Sequence, residues 1–408
     1  MDSYKMGITM MKKDITQLIA NKTSPKVTTY VGIVLLAVGL FYLGGCAPIP
    51  PPTVIEDAPA AFQSSWDNIP GWKEDHHAEA LAAFQRSCTA LRYKDEWVEV
   101  CARAATIPHD SDAARTFFEC YFTPWQLQNA DGSQEGTITG YYVPDIDASC
   151  EPDSTYRYPI FSRPKDMLVI DLSDVYPELG KYRLRGRVEG TRVVPYWDRA
   201  AIESDHARID ADPLFWVRDP VELFFLHIQG SGRVNLADGS KVMINYADQN
   251  GHPYRSIGKL LLERNEMTRD QMSMQNIARW GEENPHKIHT LLNENPSYVF
   301  FTPQPMDEPT PPGAQGVPLT SRRSLAVDRS YVPLGAPVFI ATRWPREDKP
   351  LQQLMVAQDT GGAIKGRVRG DFFWGVGDDA GWHAGAMKYP GRMWVLLPNG
   401  VAPAQIRL

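Results

Sequence analysis

Apolar residues recur at helical spacing over Ala78–Leu91, Lys94–Ala105 and Ala113–Phe122, after which the pattern changes period. Residues three and four apart share one face of a 3.6-residue turn, so three amphipathic helices are expected there. From Gly136 onward, short apolar runs are cut by Gly, Pro, Asp and Ser. Gly136–Val143, Tyr158–Phe161, Leu168–Leu172, Arg192–Tyr196, Val221–Ile228 and Lys241–Tyr246 read as strands. Ala237-Asp238-Gly239-Ser240 has the composition of a hairpin turn. Helical spacing returns between Tyr254 and Leu292, with a capping-box pattern at Thr268–Gln271 and a cap plus first-turn proline at Asn284-Pro285. Beyond a proline-rich break at Pro303–Pro312, strands resume at Val338–Ala341, Leu354–Gln358, Asp371–Trp374 and Arg392–Leu397. No fixed-period repeat is present. The pattern predicts a mainly β chain with helical segments, and a domain crossing at the proline-rich break.

The N-terminus carries a different signal. Lys5, Lys12, Lys13, Lys22 and Lys26 precede an apolar run from Tyr30 to Leu43. A basic flank before a short apolar core is the layout of a secretory signal, and the run falls short of the ~20 residues a membrane span needs. The ending Leu43-Gly44-Gly45-Cys46 is similar to a bacterial lipobox, which makes residues 1–45 a signal peptide and Cys46 the lipidated residue. The flank is long for such a signal, so Met10 or Met11 is the alternative start. Ala47 rather than Asp follows the cysteine, which favours the outer membrane, facing the periplasm. Residues 46–59 are rich in Pro and Ala and read as a tether.

The chain has 408 residues, enough for two domains, with 43% hydrophobic and 22% charged residues. A formal charge of −7 argues against nucleic acid, which attracts clustered Lys and Arg. The 17 Tyr, 15 Phe and 11 Trp include faces on which sugar rings can stack, although most aromatics of a globular chain belong to its core. Cys88, Cys101, Cys120 and Cys150 permit two disulfides in an oxidising compartment, and their spacing fits no zinc site; they read as structural or buried. His76, His77, His252 and His383 lack metal-ligand spacing, so neither a metal nor a cofactor is expected.

The densest chemistry lies near the C-terminus, in Gln358-Asp359-Thr360-Gly361-Gly362-Ala363-Ile364-Lys365-Gly366, Gly370-Asp371-Phe372-Phe373-Trp374-Gly375 and Asp378-Asp379-Ala380-Gly381. Glycines permit tight turns and close approach of a ligand to backbone. Acids in aromatic company are held towards the protonated form, which protonation of an ether oxygen requires. Turn formation and calcium ligation are the plainer readings of acids in such loops. Lys365 lies in a glycine-rich stretch without the Gly-Lys-Ser/Thr ending of a phosphate loop.

Several further motifs accompany this segment: Gly140-Tyr141-Tyr142-Val143-Pro144, Ile228-Gln229-Gly230-Ser231-Gly232, Gly251-His252-Pro253-Tyr254-Arg255-Ser256-Ile257-Gly258, Met272-Ser273-Met274-Gln275, Asn295-Pro296-Ser297-Tyr298-Val299-Phe300-Phe301 and Ser324-Leu325-Ala326-Val327-Asp328-Arg329. Together they resemble the membrane-bound lytic murein transglycosylase A family from about Gly140 to Leu397; the helical N-terminal part matches less clearly. The resemblance implies a double-psi β-barrel catalytic domain at residues 60–157 and 305–408, interrupted by a β-rich substrate-binding insert at 158–304, with a glycan groove between them. It makes Asp371 the catalytic acid/base, with Asp359 and Asp379 in support. Chemistry and family together propose Tyr141, Tyr142, Gln229, Ser231, Tyr254, Arg255 and Lys365 as glycan contacts, Lys365 either holding a lactyl carboxylate or pairing with an acid. The helix at Met272–Trp280 reads as core packing, and Asp328-Arg329 as an ion pair or turn.

The implied activity cuts the β-1,4 bond between MurNAc and GlcNAc of peptidoglycan and leaves 1,6-anhydro-MurNAc ends, in cell-wall turnover. Implied partners are the glycan strands, the membrane through the lipid anchor, and other enzymes of cell-wall synthesis or hydrolysis. Two rivals stand beside this reading: a hydrolytic muramidase using the same groove, and a non-catalytic peptidoglycan-binding lipoprotein.

Overall fold

The computed structural model describes residues 59–403 apart from residues 270, 305 and 307. The signal peptide, Cys46 and nearly all of the tether lie outside the described residues. Seventeen strands are described. In chain order they are β1 (Ala61–Gln63), β2 (Phe122–Leu127), β3 (Gly136–Val143), β4 (Asp145–Ser149), β5 (Tyr158–Phe161), β6 (Leu168–Val169), β7 (Arg185–Glu189), β8 (Arg192–Pro195) and β9 (Pro213–Val217). There follow β10 (Ser231–Leu236), β11 (Lys241–Gln249), β12 (Val299–Gln304), β13 (Ser324–Val327), β14 (Pro337–Arg343), β15 (Pro350–Asp359), β16 (Arg369–Val376) and β17 (Lys388–Pro398).

Six strands close on themselves in the order β3-β16-β13-β15-β14-β17, and β17 returns to pair with β3. The β16–β3 and β13–β15 pairs are parallel and the rest antiparallel. Closure gives each of these six strands a partner on both sides. It is achieved by the length of β17, whose first residues pair with β3 and whose last pair with β2. One face of the ring carries Leu325, Val338, Ile340, Met355, Ala357, Phe372 and Val395, all buried and linked by register.

The N-terminal helices His77–Leu91, Asp95–Ala104 and Ser111–Tyr121 share that core. Phe84, Phe117, Phe118 and Phe122 make ring contacts with centroids 5.2–6.3 Å apart. Arg323, just before β13, is buried and paired with the equally buried Asp75, while Asp75 also accepts from the Leu354 amide at 2.8 Å. The first two helices are joined by a Cys88–Cys101 disulfide. Cys120 and Cys150 are free and exposed, so one disulfide forms where the sequence permitted two, and these two thiols are not buried. With its two cysteines 13 positions apart, loss of the bridge in Cys88→Ser is expected to cost about 3 kcal/mol in a denaturant titration. No change in the unfolding midpoint would refute this.

A second sheet runs β12-β11-β10-β4-β9-β5, and β6-β7-β8 form a small third one. Although β4 precedes residue 158, it belongs to the second sheet, pairing with β10 and β9. The chain therefore leaves the barrel directly after β3. The hairpin turn between β10 and β11 forms, with Gly239 at φ +84 and Asp238 accepting from the Ser240 amide at 2.9 Å.

One predicted strand is a helix. Val221–Ile228 lies inside the helix Pro220–Gln229, whose start is set by Asp219 accepting from the Val221 amide, with Pro220 in the first turn. Gly230 ends it at φ +78. Its apolar residues are nearly continuous because two sides are covered. Leu223 and Leu226 pack with the second sheet, whereas Val221 and Phe224 pack with the helices Ile257–Glu263, Met274–Glu283 and Pro285–Asn293. A short run buried on both sides has no period to separate helix from strand. Gln271 accepts from the Thr268 amide, yet the helix starts only at Met274 with Ser273 as cap. Leu168–Leu172 shrinks to the two residues of β6.

Candidate active site

Barrel register brings the acids together. On β16, Asp371 lies opposite Thr139 of β3 on one side and Ala326 of β13 on the other. Ala326 in turn lies opposite Asp359 at the end of β15. In-register neighbours point to the same side of a sheet, so both carboxyls project from one face across a single methyl group. Two residues along, Tyr141 and Phe373 are in register with rings 5.1 Å apart. They join Val143, Leu319, Ala326 and Ile364, plus Met243 from β11 of the second sheet, in an apolar cluster beside the acids.

That setting controls the protons. Asp371 is half-buried, and loss of hydration pushes its pKa up to about 6. A hydrogen bond from Thr139 and the charge of Arg369 oppose the rise, and the charge of Asp359 adds to it. Asp359 is also raised by burial, but three donors oppose this. They are the Ala314 amide at 2.9 Å, the Tyr141 hydroxyl at 2.8 Å and the Thr360 amide at 2.9 Å. Burial and then Asp359 push the Tyr141 hydroxyl well above 10, so it stays a donor. The two environments differ: burial favours the protonated form of Asp371, and both oxygens of Asp359 accept from donors.

Around Asp371, Thr139 Oγ1 donates to Asp371 Oδ1, and Arg369 Nη2 donates to Thr139 Oγ1 at 2.8 Å. Arg369 is further anchored on the carbonyls of Thr137 and Gly370. Sequence reasoning missed both residues. Thr139 sits two before Tyr141 and Arg369 two before Asp371, so strand alternation already placed each on the face of a selected residue.

Asp379 does not join the acids. It is 82% exposed on the helix Asp378–Ala384, 3.9 Å from Arg322, and makes no described contact with Asp371 or Asp359. Gly375 at φ +123 and Gly377 at φ +87 turn the chain away at the end of β16, which carries Asp379 to the surface. Tyr142 is buried: its ring fills the space beside Gly381, and its hydroxyl contacts Met274 Sδ at 3.5 Å. Strand alternation turns it to the face opposite Tyr141, so it offers no ring to a ligand. Gln229 ends a helix rather than a strand, and its Oε1 accepts from the Tyr142 amide at 3.2 Å. Tyr141 itself is packed on Phe373 and positions Asp359 rather than presenting a stacking face.

Ser231 opens β10 opposite Asn245. Tyr254 is 46% exposed, with burial of its hydroxyl end raising its pKa. Arg255 pairs with Glu294 at 2.7 Å, and both line an open pocket of ≈ 540 Å³ with Thr290, Asn293 and Pro296, a lining that includes neither Asp371 nor Asp359. Lys365 is largely exposed, 4.0 Å from Asp328. Asp328 also accepts from the amides of Ser330 and Gly366, so it organises a turn, as expected of Asp328-Arg329.

Residues 137–302 match the MltA specific insert domain and residues 323–397 match the 3D domain. The membrane-bound lytic murein transglycosylase A of Escherichia coli (strain K12) is 36% identical over 279 residues, covering 67% of this chain and 68% of that protein. A crystal structure of MltA from Neisseria gonorrhoeae superposes with a TM-score of 0.74 at 38% identity, covering 85% of this chain and 97% of that one. The crystal structure of E. coli MltA with bound chitohexaose gives a TM-score of 0.61 at 30% identity, covering 84% and 95%. The closed barrel with its β-rich insert is thus a fold this chain shares with solved MltA structures. The chain belongs to the membrane-bound lytic murein transglycosylase A family.

Proposed function

We propose that the protein is a lytic transglycosylase cutting the β-1,4 bond between MurNAc and GlcNAc of peptidoglycan, with Asp371 as its single acid/base. One observation carries the assignment: a half-buried carboxyl pushed up to about 6 beside a second acid whose oxygens are already occupied by donors.

Protonated Asp371 gives its proton to the oxygen leaving MurNAc C1. As that bond breaks, C1 takes on oxocarbenium character, which the negative Asp359 stabilises through space. The C6 hydroxyl of the same sugar then attacks C1, and the Asp371 carboxylate takes its proton back. Ordinary glycosidases need a second carboxyl as base or nucleophile. Here the nucleophile is tethered, with an effective concentration of about 10⁵ M or more when aligned, so water and a second base are dispensable. The donors around Asp359 leave it poorly placed to activate water.

The six-stranded ring with two parallel pairs supports a double-psi barrel as the catalytic domain, with the second sheet as the substrate-binding insert and the glycan lying between them. Glycan contacts are assigned to Ser231, Tyr254, Arg255 and Lys365. Cys46 is assigned as a lipid anchor holding the enzyme on the outer membrane in the periplasm. Among the described residues no helix is long and apolar enough to cross a membrane.

Mass spectrometry of muropeptides released from sacculi tests the proposal. Products ending in 1,6-anhydro-MurNAc, lighter by one water than hydrolysed ends, are expected. Reducing MurNAc ends would establish a hydrolytic muramidase instead, and binding without release a carrier protein.

A further inference from the structure

We propose that Thr139 and Arg369 form a one-way hydrogen-bond relay that fixes which oxygen of Asp371 carries the catalytic proton. The inference rests on Asp371 being the acid/base and adds two positioning residues to it. A guanidinium has only donors. The 2.8 Å contact from Arg369 Nη2 therefore obliges Thr139 Oγ1 to accept. Its single hydrogen is left for Asp371 Oδ1, the next contact in line. Asp371 Oδ1 is thereby held as an acceptor in both protonation states, and the acid proton resides on Oδ2, the oxygen Thr139 leaves free for the leaving group.

The arrangement depends on Arg369 being immobile. Its Nη1 donates to the Thr137 and Gly370 carbonyls, so the guanidinium spans β3 and β16 beside the Asp371–Thr139 pair. A threonine facing a carboxylate without that guanidinium could turn its hydroxyl either way. With it, one rotamer of the hydroxyl satisfies both neighbours. The same geometry serves the second half of the reaction: Oδ2, having lost its proton, is the free oxygen available to the C6 hydroxyl.

The groups facing Asp371 are few. Its own strand supplies Arg369, β3 supplies Thr139 and the Tyr141 hydroxyl, and β15 supplies Asp359. β13 contributes only Ala326, and Lys388 of β17 is exposed, in register with Thr139. The hydrogen bond from Thr139 favours the ionised form, as does the charge of Arg369. Losing either raises the proton affinity of Asp371, so the alkaline limb of the activity profile moves upward.

The test is the pH profile of muropeptide release at subsaturating sacculi for Thr139→Val, Thr139→Ser and Asp371→Asn. In Thr139→Val the limb is expected to move up by about half a unit to one unit, with the low-pH plateau reduced on the order of tenfold. Thr139→Ser, which keeps the hydroxyl, restores the limb to its original position. A folded Thr139→Val protein with an unmoved limb overturns the relay, as does a serine variant that behaves like valine. If the valine variant does not fold, Thr139→Ala against Thr139→Ser carries the same comparison: a limb raised in alanine and unmoved in serine supports the relay, and equal limbs overturn it. An inactive Asp371→Asn with an unmoved Thr139→Val limb defeats the relay alone, while an active Asp371→Asn defeats the underlying assignment.

Discussion

Asp371→Asn is expected to lower glycan cleavage by on the order of 10²–10⁴-fold, the contribution of a positioned general acid/base. The amide is isosteric and can still accept from Thr139, so neither register nor packing changes. It cannot protonate a glycosidic oxygen or recover a proton from a C6 hydroxyl. Binding to sacculi should be retained, which separates loss of chemistry from loss of fold.

The pH dependence of the wild type follows from the same group. Cleavage needs the protonated acid, so the rate should fall as pH rises through about 6. The folded-state pKa is raised, so the native state binds this proton more tightly than the unfolded chain. The stability contributed is fully present below the unfolded value of 3.8 and is lost as pH rises through about 6. Asp371→Asn lacks that dependence and should be at least as stable as the wild type at neutral pH. Thermal unfolding at pH 4 and pH 8 checks the sign. A variant cleaving sacculi at near wild-type rates would remove Asp371 from the mechanism.

The largest expected effect on stability lies away from the acids. Asp75→Ala should destabilise the protein by about 3–5 kcal/mol, because it leaves the Arg323 guanidinium buried without its buried partner. Arg323 and Asp75 have side chains 4% and 3% exposed, and the same carboxylate also satisfies the Leu354 amide of β15. Glu79 is the second partner of Arg323, but it is 63% exposed and water screens it. Glu79→Ala should therefore cost no more than about 1 kcal/mol. Urea titration of the two variants separates these expectations, and equal losses would contradict the account. Arg323 lies three residues before Ala326, so Asp75→Ala should also loosen the strand between the acids and reduce activity.

The pair also accounts for the N-terminal helices, the part of the chain whose motifs matched least clearly. Their packing against the barrel and the buried pair at β13 make them a buttress for the strand that spaces Asp371 from Asp359.

Local chemistry was legible along the chain. Alternation identified β3 over Gly136–Val143 to the residue, and 3.6-residue spacing found the N-terminal helices to within two residues at each end. Both periods arise from the geometry of a single element, and its own side chains record them. The clustering of Asp359 and Asp371 among glycines and aromatics likewise marked the segment where the structure brings two acids together. Where an element was buried on two sides, as in Pro220–Gln229, no period survived and helix read as strand.

What only the tertiary structure decided is which acids meet. Asp359, Asp371 and Asp379 are near one another in sequence, yet a parallel and an antiparallel pairing through β13 set two of them across one alanine. A glycine-borne turn carries the third into solvent. Among the groups that set their proton affinities, Thr139, Tyr141 and the Ala314 amide come from distant segments, and Arg369, two residues before Asp371, bonds to Thr139 across the strand pair. Proton affinity depends on water excluded and dipoles supplied by all strands at once, and barrel closure assembles that environment.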